Sequence, residues 1–300
     1  GYKWSETDFR FDRQVTPNEP HRFGWVVEID PFDPKAAPVK RTALGRIKHE
    51  GATVVLAPDN RVVVYMGDDQ RFEYIYKFVS SKPYNPKNRK ANADLLDHGT
   101  LYVARFDQNN TGHWLELTHG KNGLTAANGF ASQADICIHT RRAADLVGAT
   151  KMDRPEWIAV HPHKPYEIYC TLTNNSERGT DGKPATDAAN PRAKNVFGHI
   201  IRWHEAGNQP TATQFKWDIY ALAGHPERDG AEPAEHRRAD RAHASQRIDA
   251  DIPRILRRKP GRDDAEGQPG QRPHDHNGCQ FSPHPRQPGR QIMLPAVQDP

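Results

Sequence analysis

Short apolar runs alternate with polar turns along the chain up to about residue 223. Runs of this length, rich in β-branched and aromatic residues and bounded by Pro, Gly, Asn and Asp, are typical of β-strands. They predict two sets of four strands, residues 51–56, 61–66, 72–79 and 101–106, and residues 157–160, 166–173, 198–203 and 214–220. A shorter pair, residues 23–31 and 39–44, resembles the outer two strands of a further sheet.

The two sets of strands repeat one pattern of side chains. Glu50 stands just before the first strand of one set, and Glu156 stands at the same point of the other. An Asp-Asp pair (68–69) and an Asn-Asn pair (174–175) then follow at the same interval. Four strands per repeating unit are typical of β-propeller blades. The sequence therefore predicts an all-β fold, a partial β-propeller of about two and a half four-stranded blades.

Two segments between the predicted strands have other patterns. Residues 80–98 are rich in Lys, Pro and Asn, which predicts a surface loop. Residues 131–147 carry apolar positions near helical spacing, with Ser132 as a candidate N-cap and Gly148 at the other end. This segment predicts one inserted helix.

The composition changes after residue 223. Residues 224–300 contain twelve arginines, one lysine and a single aromatic residue, Phe281. So little apolar surface cannot offset the entropy cost of ordering a chain. We expect two parts, residues 1–223 as the partial propeller and residues 224–300 as a tail. The tail is interpreted either as genuine disorder or as an out-of-frame reading of GC-rich DNA.

Composition and charge narrow the function classes. The chain is 35% hydrophobic with a net charge of +4, and it lacks the clustered basic and aromatic residues of a nucleic-acid-binding surface. No apolar run reaches the length of a membrane span. The cysteines, Cys137, Cys170 and Cys279, are too few and too widely spaced for a disulfide framework or zinc knuckle. Cys170 lies in an alternating strand and is expected to be a buried structural thiol.

Glu50, Glu156 and Arg154 are the strongest candidates for chemistry. Acids at the mouths of successive blades can hold a hard cation on the propeller axis. The alternative is that each glutamate simply begins its strand in solvent. Arg154 lies two positions before Glu156, so in an extended segment both side chains point the same way. Its guanidinium is then either a fork for phosphate oxygens or the partner of a structural ion pair.

Several polar residues in loops are weaker candidates. Arg178 follows a polar turn and is either a binding residue or part of the turn. His49, His161 and His163 flank the first strands of the two sets, where a metal or acid–base role competes with a solvent-exposed one. The sequence contains no serine-hydrolase, nucleotide-binding or zincin motif.

Seven short strings in the first part of the chain form a specific combination. They are PNEPHRFGWVVEID (17–30), KRTALGR (40–46), KHEGA (48–52), GDD (67–69), FEYIYKF (72–78), MDRPEW (152–157) and TLTNNS (171–176). Together they resemble the PhoX family of secreted bacterial alkaline phosphatases. The resemblance covers roughly residues 1–223. It implies a β-propeller that hydrolyses phosphate monoesters, and also diesters, with calcium (Ca²⁺) and ferric iron (Fe³⁺) as cofactors. Under this resemblance Glu50 and Glu156 fall on metal-ligand glutamates, and Arg154 falls on an arginine that contacts phosphate.

The chain also departs from the family pattern. The family's cysteine-bearing ligand segment, its aspartate from a later blade and its export signal have no counterpart here. Because the chain starts without a methionine, we expect it to be an internal fragment, inactive by itself. The expected partners are phosphate-ester small molecules, with neither nucleic acid nor membrane, in the periplasm or outside the cell. The alternative function is a non-catalytic calcium-binding propeller that contacts other proteins.

Overall fold

The structure, a computed structural model, describes residues 2–224 and is mostly β. The strands are β1 (Val27–Glu28), β2 (Val39–Lys40), β3 (His49–Leu56), β4 (Arg61–Asp68), β5 (Ile75–Pro83), β6 (Gly99–Phe106), β7 (Thr111–Glu116), β8 (Pro155–His161), β9 (Lys164–Leu172), β10 (His199–Glu205) and β11 (Gln214–Leu222). The helices are α1 (Trp4–Thr7), α2 (Gln133–Ile138) and α3 (Thr140–Val147), with short 3₁₀ turns between elements. The predicted all-β class is confirmed for this part of the chain.

Nine of these strands form one continuous antiparallel sheet. Its order is β3-β4-β5-β6-β7-β11-β10-β9-β8, and β1 pairs separately with β2. The two predicted sets of four strands appear as β3–β6 and β8–β11. β7 lies between them and pairs with both β6 and β11. The sheet curls until its two ends meet, where the Thr53 hydroxyl of β3 donates to the Ile158 carbonyl of β8 at 2.5 Å. The result is a nearly closed, barrel-like sheet.

Strand β7 and the continuous sheet were not predicted from the sequence. β7 contains Gly112, which is an unfavourable residue in a strand. The structure shows why glycine stands there: a Cβ on Gly112 would lie 2.2 Å from the ring of Phe215 on β11. Close approach of the aromatic ring therefore selects glycine, and this removes the apolar alternation that would have marked the strand.

Apolar side chains fill both faces of the sheet. Along β4, Val62, Val64 and Met66 pack into one core, while Val63 and Tyr65 pack into the other. The first core is closed by residues of α2, α3 and the N-terminal segment. The second lies between the two halves of the curled sheet, where strands β4–β7 face strands β8–β11. Burial of both faces explains why the sequence of β4 is a continuous apolar run.

The inserted segment differs from its prediction in one respect. It contains two helices, α2 and α3, separated at His139, instead of a single helix. Ser132 caps α2 by accepting the backbone N–H of Asp135, and Gly148 ends α3 in the left-handed conformation at φ 77°. Both predicted helix boundaries are thus confirmed.

The remaining predictions have mixed outcomes. The strand pair at residues 23–31 and 39–44 is present but has only two residues in each strand. The loop predicted from residue 80 begins later, since β5 continues to Pro83. Cys170 is fully buried, as predicted. None of the helices in residues 2–224 has the length and apolar character needed to cross a bilayer. The predicted tail and Cys279 lie outside the described residues.

Candidate functional site

Glu50 and Glu156 occupy corresponding β-bulges. On β3, the pairing shifts between His49 and Gly51, so that Glu50 is the extra residue. On β8, the pairing with β9 also shifts, between Pro155 and Ile158, so that Glu156 and Trp157 together lie opposite one residue of β9, Thr171. A bulge re-aims the side chain that it contains and often lies beside a functional site. The repeat seen in the sequence therefore corresponds to a repeated backbone feature.

Gly67 allows the two bulges to lie close to each other. A Cβ at this position of β4 would lie 2.6 Å from the carbonyl oxygen of Glu156 and 2.9 Å from that of Pro155. Those distances are too short for any side chain, so only glycine lets β8 approach β4 this closely. The site is further fixed by a backbone hydrogen bond from Phe72 to Met152 at 2.9 Å.

Arg154 points its guanidinium at Asp69. Its Nε donates to Asp69 Oδ1 and its Nη2 donates to Asp69 Oδ2, both at 3.0 Å, which is a two-pronged pairing. Nη2 also lies 3.8 Å from Glu156 Oε1. The Arg154 side chain is 29% exposed and that of Asp69 is 18% exposed, so the pair can be reached from solvent. Sequence spacing predicted the neighbourhood of Arg154 and Glu156 and missed the role of Asp69.

The backbone of Arg154 has an unusual conformation, with φ at +52°. A left-handed conformation is uncommon in residues other than glycine and is kept only where surrounding contacts enforce it. Here the Arg154 carbonyl accepts the N–H of Thr173 at 3.2 Å, and the preceding residue, Asp153, is anchored in the interior. The turn at Arg154 breaks the extended segment that the sequence predicted, yet the side chain still lies beside Glu156.

Asp153 is the centre of a buried polar cluster beneath Arg154. Its carboxylate accepts hydrogen bonds from Arg178 Nε at 2.8 Å, Asn175 Nδ2 at 2.8 Å and Asn195 Nδ2 at 3.1 Å. The side chain of Arg178 is only 1% exposed and also donates to the carbonyl groups of Lys151 and residue 185. Arg178 is therefore a buried structural residue, and the suggestion that it binds a ligand from its loop is wrong.

The two halves of the repeat differ in chemistry. Asp68 is fully buried and is held by Arg141, with Nε to Oδ2 at 2.7 Å and Nη2 to Oδ1 at 2.5 Å. Its neighbour Asp69 instead reaches Arg154. In the second half, Asn174 is exposed and Asn175 serves the Asp153 cluster. Of the two residue pairs in the repeat, only the Asp-Asp pair of the first half thus adds a carboxylate, Asp69, to the group around Arg154.

The local charges favour a cation. Burial, together with the nearby carboxylates of Asp69 and Glu156, raises the pKa of Glu50, while Arg154 opposes this rise. Three carboxylates share one guanidinium, so the group has an excess of negative charge. Carboxylate oxygens are the donors that hard cations such as calcium prefer. Within residues 2–224, however, no three acidic, His or Cys side chains form a preassembled metal cage. The donor chemistry of Glu50, Asp69 and Glu156 fits a hard cation.

The candidate histidines lie elsewhere or are engaged. His49 Nε2 is 3.0 Å from the carbonyl oxygen of Gly45, and burial lowers the pKa of this histidine, which favours the neutral ring. His161 and His163 lie at the far end of β8, in the turn to β9, with their ring centroids 6.2 Å apart. The structure therefore does not bring these two histidines to the group around Arg154.

Comparisons with a family model and with a solved structure found matches. The family described as alkaline phosphatase PhoX matches residues 1–249, which extends beyond the compositional boundary at residue 223. A solved structure entitled "Pseudomonas fluorescens PhoX in complex with vanadate, a transition state analogue" is 55% identical with a TM-score of 0.73. The match covers 77% of the present chain and 41% of the Pseudomonas chain. No curated protein matches the sequence.

The family match and the structural match cover different shares of the proteins compared. The family match covers most of the 300 residues, and the structural neighbour supports the predicted relation to propeller-like proteins. Because the chain spans 41% of the Pseudomonas protein, the activity of the whole protein is not transferred with the fold. The family itself is shown: this chain belongs to the alkaline phosphatase PhoX family.

Proposed function

We propose that the group formed by Glu50, Asp69, Arg154 and Glu156 binds the phosphoryl group of phosphate monoesters, and also of diesters, for hydrolysis. The observation that carries this proposal is the guanidinium fork of Arg154 beside two bulge glutamates, in a chain of a phosphatase family. The related Pseudomonas protein is described in complex with vanadate, a transition-state analogue. Vanadate resembles a phosphoryl group in transfer, so a matching site here would receive the same chemistry.

In this proposal, Arg154 is the catalytic residue. Its Nε and Nη2 donate hydrogen bonds to two non-bridging phosphoryl oxygens, and these bonds strengthen as negative charge builds up in transfer. Glu50 and Glu156 hold the calcium and ferric ions that the family resemblance implies. When bound, such ions supply positive charge and lower the pKa of an attacking oxygen. The buried Asp153 cluster fixes the backbone of Arg154, so the fork keeps its direction.

We further propose that the metals are calcium and ferric iron, and that the full-length relatives work in the periplasm or outside the cell. We also propose that the 300-residue chain alone has little or no turnover. The low turnover is supported by the family resemblance, because the cysteine-bearing ligand segment and the later aspartate of that pattern have no counterpart in this sequence. Nε and Nη2 of Arg154 already contact Asp69, so a substrate must displace that carboxylate to use this fork.

The test is a phosphatase assay with p-nitrophenyl phosphate, calcium and ferric iron. It compares the chain with a full-length relative, and it tests Arg154→Ala and Glu156→Ala in the full-length context. Loss of one preorganised charge donor costs about 10²–10³ in rate, so each substitution is expected to reduce turnover by at least that much. Arg202→Ala is a matched control, since Arg202 forms a similar fork with Asp218 on β10 and β11. Normal rates in Arg154→Ala would remove Arg154 from the site.

The alternative function is a non-catalytic calcium-binding module. It is favoured by the same occupied fork, since with Arg154 held by Asp69 the remaining carboxylates serve a cation alone. Calcium would stabilise the chain under both functions. Vanadate binding distinguishes them, because only a phosphoryl site binds it in an Arg154-dependent way.

A further inference from the structure

We propose that the Asp69 carboxylate occupies the two N–H donors of Arg154 that would otherwise bind an oxyanion. We further propose that a divalent cation attracts Asp69 and so releases Arg154. This inference rests on the proposed function and adds a regulatory step to it. The cation and the oxyanion would then bind cooperatively, although they contact different side chains.

The fork geometry identifies Asp69 as the occupant. Both 3.0 Å bonds from Arg154 run to separate oxygens of one carboxylate, which is also how a guanidinium binds two oxygens of a phosphoryl group. A carboxylate and an oxyanion ligand therefore compete for the same two donors. As long as Asp69 holds Nε and Nη2, this fork of Arg154 is closed to a phosphoryl group.

The surroundings of the pair allow exchange by side-chain rotation alone. The backbone of Asp69 is fixed by its N–H, which donates to the Lys48 carbonyl at 3.0 Å. The backbone of Arg154 is fixed by Thr173. Both side chains are partly exposed, whereas the ion pair between Arg178 and Asp153 just beneath is 1% and 0% exposed. Only the upper pair can therefore open without disrupting the interior.

A cation supplies the driving force for the exchange. Asp69 and Glu156 are like-charged neighbours of Glu50, and Arg154 is the cationic group that opposes them. An oxyanion that approaches Arg154 is repelled by these carboxylates. A divalent cation bound between the carboxylates of Glu50 and Glu156 removes this repulsion of the oxyanion. It also offers Asp69 a partner of higher charge than the guanidinium of Arg154. Linkage then requires that each ligand increase the affinity of the other by the same factor.

The experiment measures this coupling by calorimetry on the 300-residue chain. Orthovanadate is titrated with and without calcium, and calcium is titrated with and without orthovanadate. In the wild type, calcium is expected to tighten vanadate binding about 5–150-fold, the usual range of coupling between sites. Asp69→Asn should bind vanadate more tightly than the wild type in the absence of calcium, and calcium should then improve its binding by less than about threefold.

Asp218→Asn is the matched control. Asp218 receives the same two-pronged contact from Arg202, with Nε to Oδ1 at 2.9 Å and Nη2 to Oδ2 at 2.5 Å, on a different part of the sheet. It should behave as the wild type in all four titrations. Equal vanadate affinity and equal calcium coupling in Asp69→Asn and wild type would overturn the inference. If the wild type binds no vanadate with or without calcium, the proposed function itself fails.

A second measurement needs no altered Asp69. The Nε–H resonance of Arg154 in ¹⁵N-labelled protein, assigned by its loss in Arg154→Lys, reports on the fork directly. Calcium alone should shift this resonance and leave that of Arg202 in place. A resonance of Arg154 that stays unchanged at saturating calcium shows that the fork does not open, and contradicts the release of Arg154.

Discussion

Gly67→Ala tests whether close approach of β4 to β8 builds the site. The new methyl group would lie 2.6 Å from the Glu156 carbonyl oxygen and 2.9 Å from that of Pro155. Carbon atoms at this position do not come closer than 3.0 Å, so the backbone of β8 must move by several tenths of an ångström. The obstacle is backbone, which cannot rotate away as the end of a side chain can. The bulge at Glu156 must therefore separate from Glu50 and Asp69.

The expected magnitude follows from the kind of clash. Overpacking by one methyl group in a well-packed region costs about 1–3 kcal/mol of unfolding free energy. Displacing a residue that positions a cation ligand weakens metal affinity about 10–100-fold. We therefore expect both a lower urea midpoint and weaker calcium binding. A tenfold loss of affinity corresponds to about 1.4 kcal/mol, so the two effects are expected to be of similar size.

Gly51→Ala provides a matched control for this substitution. Gly51 pairs directly with Gly67 across β3 and β4, beside Glu50, yet a Cβ there has nothing within 4 Å. Urea unfolding followed by tryptophan fluorescence and calcium calorimetry are measured for both variants. Gly51→Ala should stay within about 0.5 kcal/mol of the wild type. If Gly67→Ala and Gly51→Ala bind calcium equally well, close strand approach does not build the site.

Three further predictions concern buried charges. Asp153→Ala leaves buried Arg178 with only Asp187 as an acidic partner, 3.5 Å from its Nη1, and should lower the unfolding free energy by about 3–5 kcal/mol. A loss below about 1 kcal/mol in urea unfolding contradicts the described cluster. Lys77→Met leaves Glu205 uncompensated in the core, where Lys77 Nζ lies 3.3 Å from it, and should cost about as much by the same assay. Burial raises the pKa of Glu73 to about 7, so its contribution to stability is full below pH 4.5 and is lost as the pH rises through 7. Glu73→Gln should therefore become more stable relative to the wild type between pH 5 and pH 8, and a pH-independent difference in urea midpoints refutes this.

The fold was predictable where local pattern and tertiary structure agree. Strands β4 and β9 have apolar runs or alternation that persist after packing, and both were predicted to within two residues at each end. The boundaries of the helical insert were marked by Ser132 and Gly148, whose side-chain and backbone preferences act locally. β7 was missed because glycine is required at position 112 by the close approach of the Phe215 ring. Phe215 lies more than a hundred residues later in the sequence, so no local pattern shows this contact.

The site was predictable only in part. A repeat in register indicated that Glu50 and Glu156 are equivalent, and the structure gives both a bulge. The pairing of Arg154 with Asp69 joins two segments whose separation along the chain leaves no periodic signal. Burial of Arg178 depends on Asp153 and its amide donors, and a polar loop sequence cannot show which arginine turns inward.

The most direct test of the proposed site is a crystal structure of the 300-residue chain grown with calcium and orthovanadate. We expect vanadate within about 2.7–3.2 Å of the Arg154 guanidinium. We also expect calcium at about 2.3–2.6 Å from carboxylate oxygens of Glu50 and Glu156, with Asp69 turned away from Arg154. Vanadate bound elsewhere, or Arg154 still paired with Asp69 beside two glutamates that hold no cation, would contradict the proposed site.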